Sequence, residues 1–177
     1  MAFRNKIVLI SGIFFMLQLC FVSAQNTENS MKRIPSVKIK DAKGKSIDAS
    51  SLSNNGKPFI ICFWKTCCKP PLQELDAIAE VYSDWHEETG VVLYAVSVDD
   101  SRSSNTAVPY AMGQGYEYEI LLDVNSDLKR AMNVNIIPTT FICDGDGNIV
   151  WQKTMYAPGD EDLIFNILEK TASVSRQ

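Results

Sequence analysis

The chain has 177 residues, 46% of them hydrophobic and 21% charged, with a formal net charge of −4. That length and apolar fraction suit one domain with its own core. The acidic balance argues against a nucleic-acid partner, and no internal repeat, long linker or run of like charge stands out.

Residues 1–24 differ from the rest. "MAFRNK" carries Arg4 and Lys6, "IVLISGIFFMLQLCFV" is apolar, and Val22-Ser23-Ala24 offers a small-residue cleavage site. This pattern reads as a secretory signal cut after Ala24, which exports the chain to a periplasm or other extracytoplasmic space. The competing reading is an uncleaved membrane anchor, for which the apolar run is short. A lipid-bearing Cys20 is disfavoured by Leu19, where a small residue is wanted. Losing Arg4 and Lys6 takes the 17 basic residues to 15 against 21 acidic, a net charge of −6. Residues 25–33, "QNTENSMKR", read as a mobile tether, and 34–173 as the folded domain.

"SVKIKDAKGKSID" alternates and breaks at Lys43-Gly44, which predicts a hairpin. "PFIICFW" is a continuous apolar run, suited to a strand covered on both faces. From Pro70 to about Glu88, Leu72, Leu75, Ile78, Ala79, Tyr82 and Trp85 recur at helical spacing, and Gly90 ends the helix. "VVLYAVSVD" is a second buried strand, parallel to the first because a helix crosses between them. A helix within 102–113, a short strand "YEILL" and a helix over 126–132 follow. "IPTTFICDGDGNIVWQKT" predicts a hairpin with an Asp-Gly turn, and "PGDEDLIFNILEKTA" an amphipathic helix with acidic residues in its first turn. The fold class is α/β: a central mixed sheet with helices on both faces and an N-terminal hairpin. "DGDGN" is not a calcium loop, since Ile149 and Met155 stand where such a loop needs Gly and Glu. No metal site or cofactor is expected.

Cys62, Cys67, Cys68 and Cys143 remain after cleavage. Exported cysteines are commonly paired or catalytic, but spacing alone assigns no bridges. A Cys67–Cys68 bridge would be strained: adjacent Cα atoms lie about 3.8 Å apart, whereas disulfides favour about 4.4–6.8 Å. Cys68 stands just before the helix, where partial positive charge favours the thiolate that attacks disulfides. Lys65 and Lys69 flank it. The bland alternative is an inert buried thiol.

"FWKTCCKPPLQEL" resembles the active-site stretch of the thioredoxin superfamily in its exported TlpA/ResA-like branch. Phe63, Trp64, Thr66, Cys68, Pro70, Glu74 and Leu75 match its pattern, and "NIIPTTF" resembles its Ile-Pro-Thr-Thr-Phe stretch. The resemblance covers about 34–172. It implies a thioredoxin-like fold, a cis Pro138 facing Cys68, and thiol–disulfide exchange on protein thiols and disulfides. Ile137 and Pro138 would form the substrate edge, with Trp64, Lys65, Lys69, Pro70, Pro71 and Cys62 around the site.

Three positions depart from that pattern. Pro71 replaces the resolving cysteine of Cys-x-x-Cys, Cys67 replaces a tryptophan, and Cys62 occupies a position beneath the site that is often Asp or Asn. Pro71 can neither resolve a mixed disulfide nor offer an N–H to the Cys68 thiolate. Cys62 reads first as a small buried hydrophobe, Cys143 as core, and His86, about five turns along the helix, as a surface residue.

Two readings stand out. In one, an oxidoreductase works through Cys68, with Cys67 beside it, and reduces or isomerises disulfides; an external thiol or membrane electron donor completes the cycle. In the other, a redox-degenerate module binds an extended peptide at Ile137 and Pro138. Soft-metal capture by Cys67 and Cys68 ranks lower. A peroxidase lacks support because Thr66 lies only two residues before Cys68.

Overall fold

The computed structural model describes residues 33–174. The proposed signal over 1–24, and all of the proposed tether except Arg33, lie outside them. Arg33 itself bridges Asn148 and donates from its guanidinium to the Asp146 carbonyl, so it belongs to the folded body.

Two short strands, β1 (Lys38–Asp41) and β2 (Ser46–Asp48), form the expected hairpin, followed by one 3-10 turn at Ala49–Ser51. β3 (Phe59–Trp64) is buried at all six positions, as its unbroken apolar run predicts. It leads through a tight turn into helix α1 (Lys69–Thr89) and then strand β4 (Val92–Ser97). β4 lies parallel to β3, with Phe59 opposite Val92 and Trp64 opposite Ser97. Helix α2 (Ser104–Gln114), strand β5 (Glu119–Leu122) and the short helix α3 (Asp127–Ala131) come next. The chain closes with β6 (Thr139–Cys143), β7 (Ile149–Thr154) and helix α4 (Asp160–Val174).

Among the described residues the sheet has the order β2-β1-β5-β4-β3-β6-β7. The centre is parallel through β3, β4 and β5, while β6, β7 and the N-terminal hairpin run antiparallel to their neighbours. Period-two alternation splits each central strand between two cores. Ile60, Cys62 and Trp64 face Leu75, Ile78, Tyr82 and Trp85 of α1, Ala107 and Ala111 of α2, and Ile164 and Leu168 of α4. Phe59, Ile61 and Phe63 face Leu128 and Met132 near α3, together with Ile34, Ile39 and Leu52. Each fully buried large side chain is worth about 1.5–3 kcal/mol, so the two faces of β3 anchor the whole domain.

Details refine the sequence reading. Ala79 is exposed; the buried stripe of α1 runs through Pro71, Glu74, Leu75, Ile78, Tyr82, Trp85 and Thr89. Helix spacing admits Ala79 to the edge of that stripe, and its small side chain has little to gain from burial. Gly90 ends α1 at φ +69°, with its N–H on the His86 carbonyl. At the 144–148 turn, the Asp144 carboxylate accepts from the N–H groups of Asp146 and Asn148 and from the Asn148 amide. Gly145 is obligatory there, since a Cβ would meet the Gly56 carbonyl oxygen at 2.1 Å.

Candidate active site

β3 ends at Trp64, and its antiparallel partner β6 begins at Thr139, opposite Phe63. Pro138, immediately before β6, therefore lies at the sheet end from which Cys67 and Cys68 emerge. The Ile137–Pro138 bond is cis. The carboxyl end of the parallel neighbour β4 opens onto the same side, a common position for functional groups in α/β sheets.

The turn between β3 and α1 is held from below by a residue the sequence reading missed. Asp99, two residues past β4, is almost completely buried. Its carboxylate accepts from the Thr66 N–H (3.1 Å), the Thr66 hydroxyl (2.7 Å) and the Ser97 hydroxyl (2.8 Å). Cys68 N–H donates to the Lys65 carbonyl at 3.2 Å and closes the turn. Thr66 is thereby fixed, and Cys67 stands at the tip between an anchored residue and a helix start. In the sequence, Asp99 is one of two acids ending a strand; nothing local tells which one turns inward.

Cys68 is the residue capping α1, in an extended conformation, and its side chain makes no capping hydrogen bond. The first three helical residues are Lys69, Pro70 and Pro71. Two of the three N–H groups that would greet an anion are therefore missing. Burial and the neighbouring Cys67 push the Cys68 thiol above its ordinary value; Lys65 pulls it down and Asp99 pushes it up. The helix end thus does not yield the strongly acidic thiol that its position alone suggests. Cys67 is exposed and Cys68 half-buried, and their sulfurs are 3.6 Å apart. Lys69 and Pro70 are exposed, while Pro71 is packed away.

Beneath this surface lies a second cluster. Cys62, fully buried, donates its thiol hydrogen to Glu74 Oε2 at 3.4 Å, and Thr140 Oγ1–H donates to Glu74 Oε1 at 2.9 Å. Burial raises the Glu74 carboxyl to about 7, against the lowering by these two hydrogen bonds and by Lys153. Burial, then the Glu74 charge, drive the Cys62 thiol far upward. Cys143 faces the opposite core and is pushed up by burial to about 12. Glu74 was legible as a match to a motif, not as a buried acid. Trp64 lies wholly in the core against Tyr110, ring centroids 6.0 Å apart, and not at the open surface of the site. His86 is exposed on α1, its Nδ1 2.8 Å from the Val91 carbonyl.

Around Pro138 the surface is apolar. Pro138 is buried and its carbonyl accepts from Met155 N–H at 2.8 Å. Ile137 is half-buried, while Ile136 and Met155 are 52% and 61% exposed.

The AhpC/TSA family model matches residues 31–152, well over half of the chain. A solution structure of a thioredoxin-like protein from Porphyromonas gingivalis is similar at 48% identity and a TM-score of 0.73, covering 79% of this chain and 92% of that one. The thiol-disulfide oxidoreductase ResA of Bacillus anthracis is 29% identical over 153 residues, 85% of each chain. The sporulation thiol-disulfide oxidoreductase A of Bacillus subtilis is 28% identical over 140 residues, 78% of this chain and 81% of that one. A family model that covers well over half of the chain, together with the mixed α/β sheet, places the chain in the AhpC/TSA family of the thioredoxin superfamily, to which it belongs.

Proposed function

We propose that the protein is an exported thiol-disulfide oxidoreductase in which Cys68 is the sulfur that attacks substrate. The observation that carries this is the Cys67–Cys68 sulfur pair, 3.6 Å apart, at the mouth of α1 and at the same sheet end as cis-Pro138. Similarity to thiol-disulfide oxidoreductases over 85% of the chain supports the reaction class. The substrates are protein thiols and disulfides, held in extended form along Ile137 with Ile136 and Met155 offering apolar contact. Attack by the Cys68 thiolate gives a mixed disulfide, whose rearrangement isomerises a substrate and whose discharge reduces it. An external thiol or a membrane electron donor supplies the returning electrons. The chain is exported by residues 1–24 with cleavage after Ala24, and 34–173 act as the catalytic domain. Among the described residues no helix is long and apolar enough to cross a membrane.

A second reading, a peptide-binding module without redox turnover, draws on one observation: the paired prolines and the upward shift of Cys68 leave its thiolate poorly supported. One experiment decides between them. The protein is incubated with a peptide disulfide and quenched with acid, and the mixed disulfide is measured by mass. Oxidoreductase chemistry requires an adduct on Cys68 in Cys67→Ser and none in Cys68→Ser. If neither the wild-type protein nor Cys67→Ser forms an adduct with, or reduces, the peptide disulfide that it binds, the binding module is the better description.

A further inference from the structure

We infer that Cys67 is the resolving thiol of this site, releasing substrate from Cys68 by closing a vicinal Cys67–Cys68 disulfide in the role that Pro71 cannot fill. The inference rests on the reading of Cys68 as the attacking sulfur and adds a catalytic residue to it.

Four cysteines occur among the described residues, and the fold leaves one partner for Cys68. Cys62 is sealed in the core beneath α1, with its thiol hydrogen on Glu74. Cys143 lies on β6 in the core on the other side of the sheet. Cys67 Sγ is 3.6 Å from Cys68 Sγ, close to van der Waals contact, so bond formation needs side-chain rotation and a small backbone adjustment. The exposure of the two residues is ordered for the task. Cys68 is half-buried beside the helix start, whereas Cys67 is open to solvent and stays accessible once Cys68 carries a substrate. The hydrogen bonds from Thr66 to Asp99 and from Cys68 N–H to the Lys65 carbonyl hold the turn on both sides of Cys67.

The chemistry balances in three steps. The Cys68 thiolate attacks a substrate disulfide, R–S–S–R′; that bond breaks, the Cys68–S–R bond forms and R′S⁻ leaves. The Cys67 thiolate then attacks Cys68 Sγ; the Cys67–Cys68 bond forms and RS⁻ leaves. The two protons lost by the cysteine thiols equal the two that the departing thiolates take up, and two electrons have passed to the substrate. An external dithiol returns two electrons and reopens the ring. A vicinal ring is strained, because adjacent Cα atoms are closer than a relaxed disulfide wants. Strained bridges are the easily reduced ones, so the ring is a short-lived intermediate and the resting pair is dithiol.

The test uses 5,5′-dithiobis(2-nitrobenzoic acid) as substrate disulfide, at one equivalent per reduced protein, in dilute solution without other thiols. Release of the coloured thiolate is followed, and the products are mapped by mass. The expected result is two equivalents of thiolate released, no adduct retained, and a Cys67–Cys68 bridge within a single peptide. Cys67→Ser should release one equivalent and keep the adduct on Cys68. If the wild-type protein also stops at the Cys68 adduct, or discharges it through Cys62 or into a disulfide-linked dimer, Cys67 is not the resolving thiol and the reading of Cys68 stands. If no adduct ever forms on Cys68, in either protein, the reading of Cys68 fails with it.

Discussion

Cys62 on β3 and Glu74 on α1 form a buried thiol–carboxyl pair across 3.4 Å, joining the strand and the helix that flank the Cys67–Cys68 turn. Thr140, opposite Cys62 in the β3–β6 register, holds the second carboxyl oxygen. The acid therefore links helix, central strand and the strand that follows cis-Pro138.

That link makes stability depend on pH. The folded value of Glu74, about 7, lies above its ordinary 4.5, so the folded protein retains a proton that the unfolded chain has released. The contribution is complete below about pH 4.5 and is lost as pH rises toward 7. Glu74→Gln removes this dependence. Between pH 5 and pH 8 the mutant should gain about 2–3 kcal/mol relative to wild type, measured by urea unfolding at both pH values. Lys153, Asp160 and Tyr156 stand near the carboxyl, and Lys153 is ion-paired with Asp160. A pH-independent difference between the two proteins would show that Glu74 is already ionised in the fold at pH 5.

Asp99 should behave oppositely in two measurements. Asp99→Asn removes a buried charge that accepts three hydrogen bonds at the turn. Charge-assisted bonds of this kind are worth about 1.5–3 kcal/mol each, so a loss of at least about 1.5 kcal/mol is expected in chemical denaturation. The same change deletes a negative charge that raises the Cys68 thiol. Cys68 should alkylate faster at pH 8 in the mutant. Slower alkylation would mean that the turn, once released, buries the sulfur.

A short pulse of iodoacetamide on the native reduced protein should label Cys67 and Cys68 and spare Cys62 and Cys143. The last two are completely buried on opposite faces of the sheet. Because Cys68 is raised from 9.0, its labelling rate should still climb above pH 9. Rapid labelling of Cys62 would contradict the packing of α1 on β3.

Pro71→Cys restores both a resolving thiol and an N–H in the first turn of α1. On the proposed mechanism, release of substrate from Cys68 passes through a strained vicinal ring or an external thiol, so Pro71→Cys should raise turnover in an insulin-reduction assay. In a Cys67→Ser background the gain should be larger, since among the described residues Cys62 and Cys143 are buried and neither is open to Cys68. Turnover no faster than wild type in the first variant, or no rescue in the second, would show that the site lacks more than a sulfur.

Much of the architecture was legible from local patterns. The unbroken apolar run of β3, the helical spacing from Leu72 to Trp85, Gly90 at the end of α1 and the Asp-Gly turn before β7 each follow from constraints within a few residues. The cis bond at Pro138 followed from the resemblance of its Ile-Pro-Thr-Thr-Phe stretch, since local sequence permits either isomer. Burial of Cys62 and Cys143 followed from their apolar neighbours. Other features arise only when distant segments meet. The hairpin joins the sheet through β5, because the backbone edge it needs lies some eighty residues away in sequence. Asp99 reaches back 33 residues to Thr66, and Glu74 turns inward to Cys62 and Thr140 because those hydrogen bonds offset its burial. Two adjacent cysteines were visible as letters from the start. Whether their sulfurs point together depends on the turn that Asp99 and the start of α1 hold, and that is a property of the folded chain.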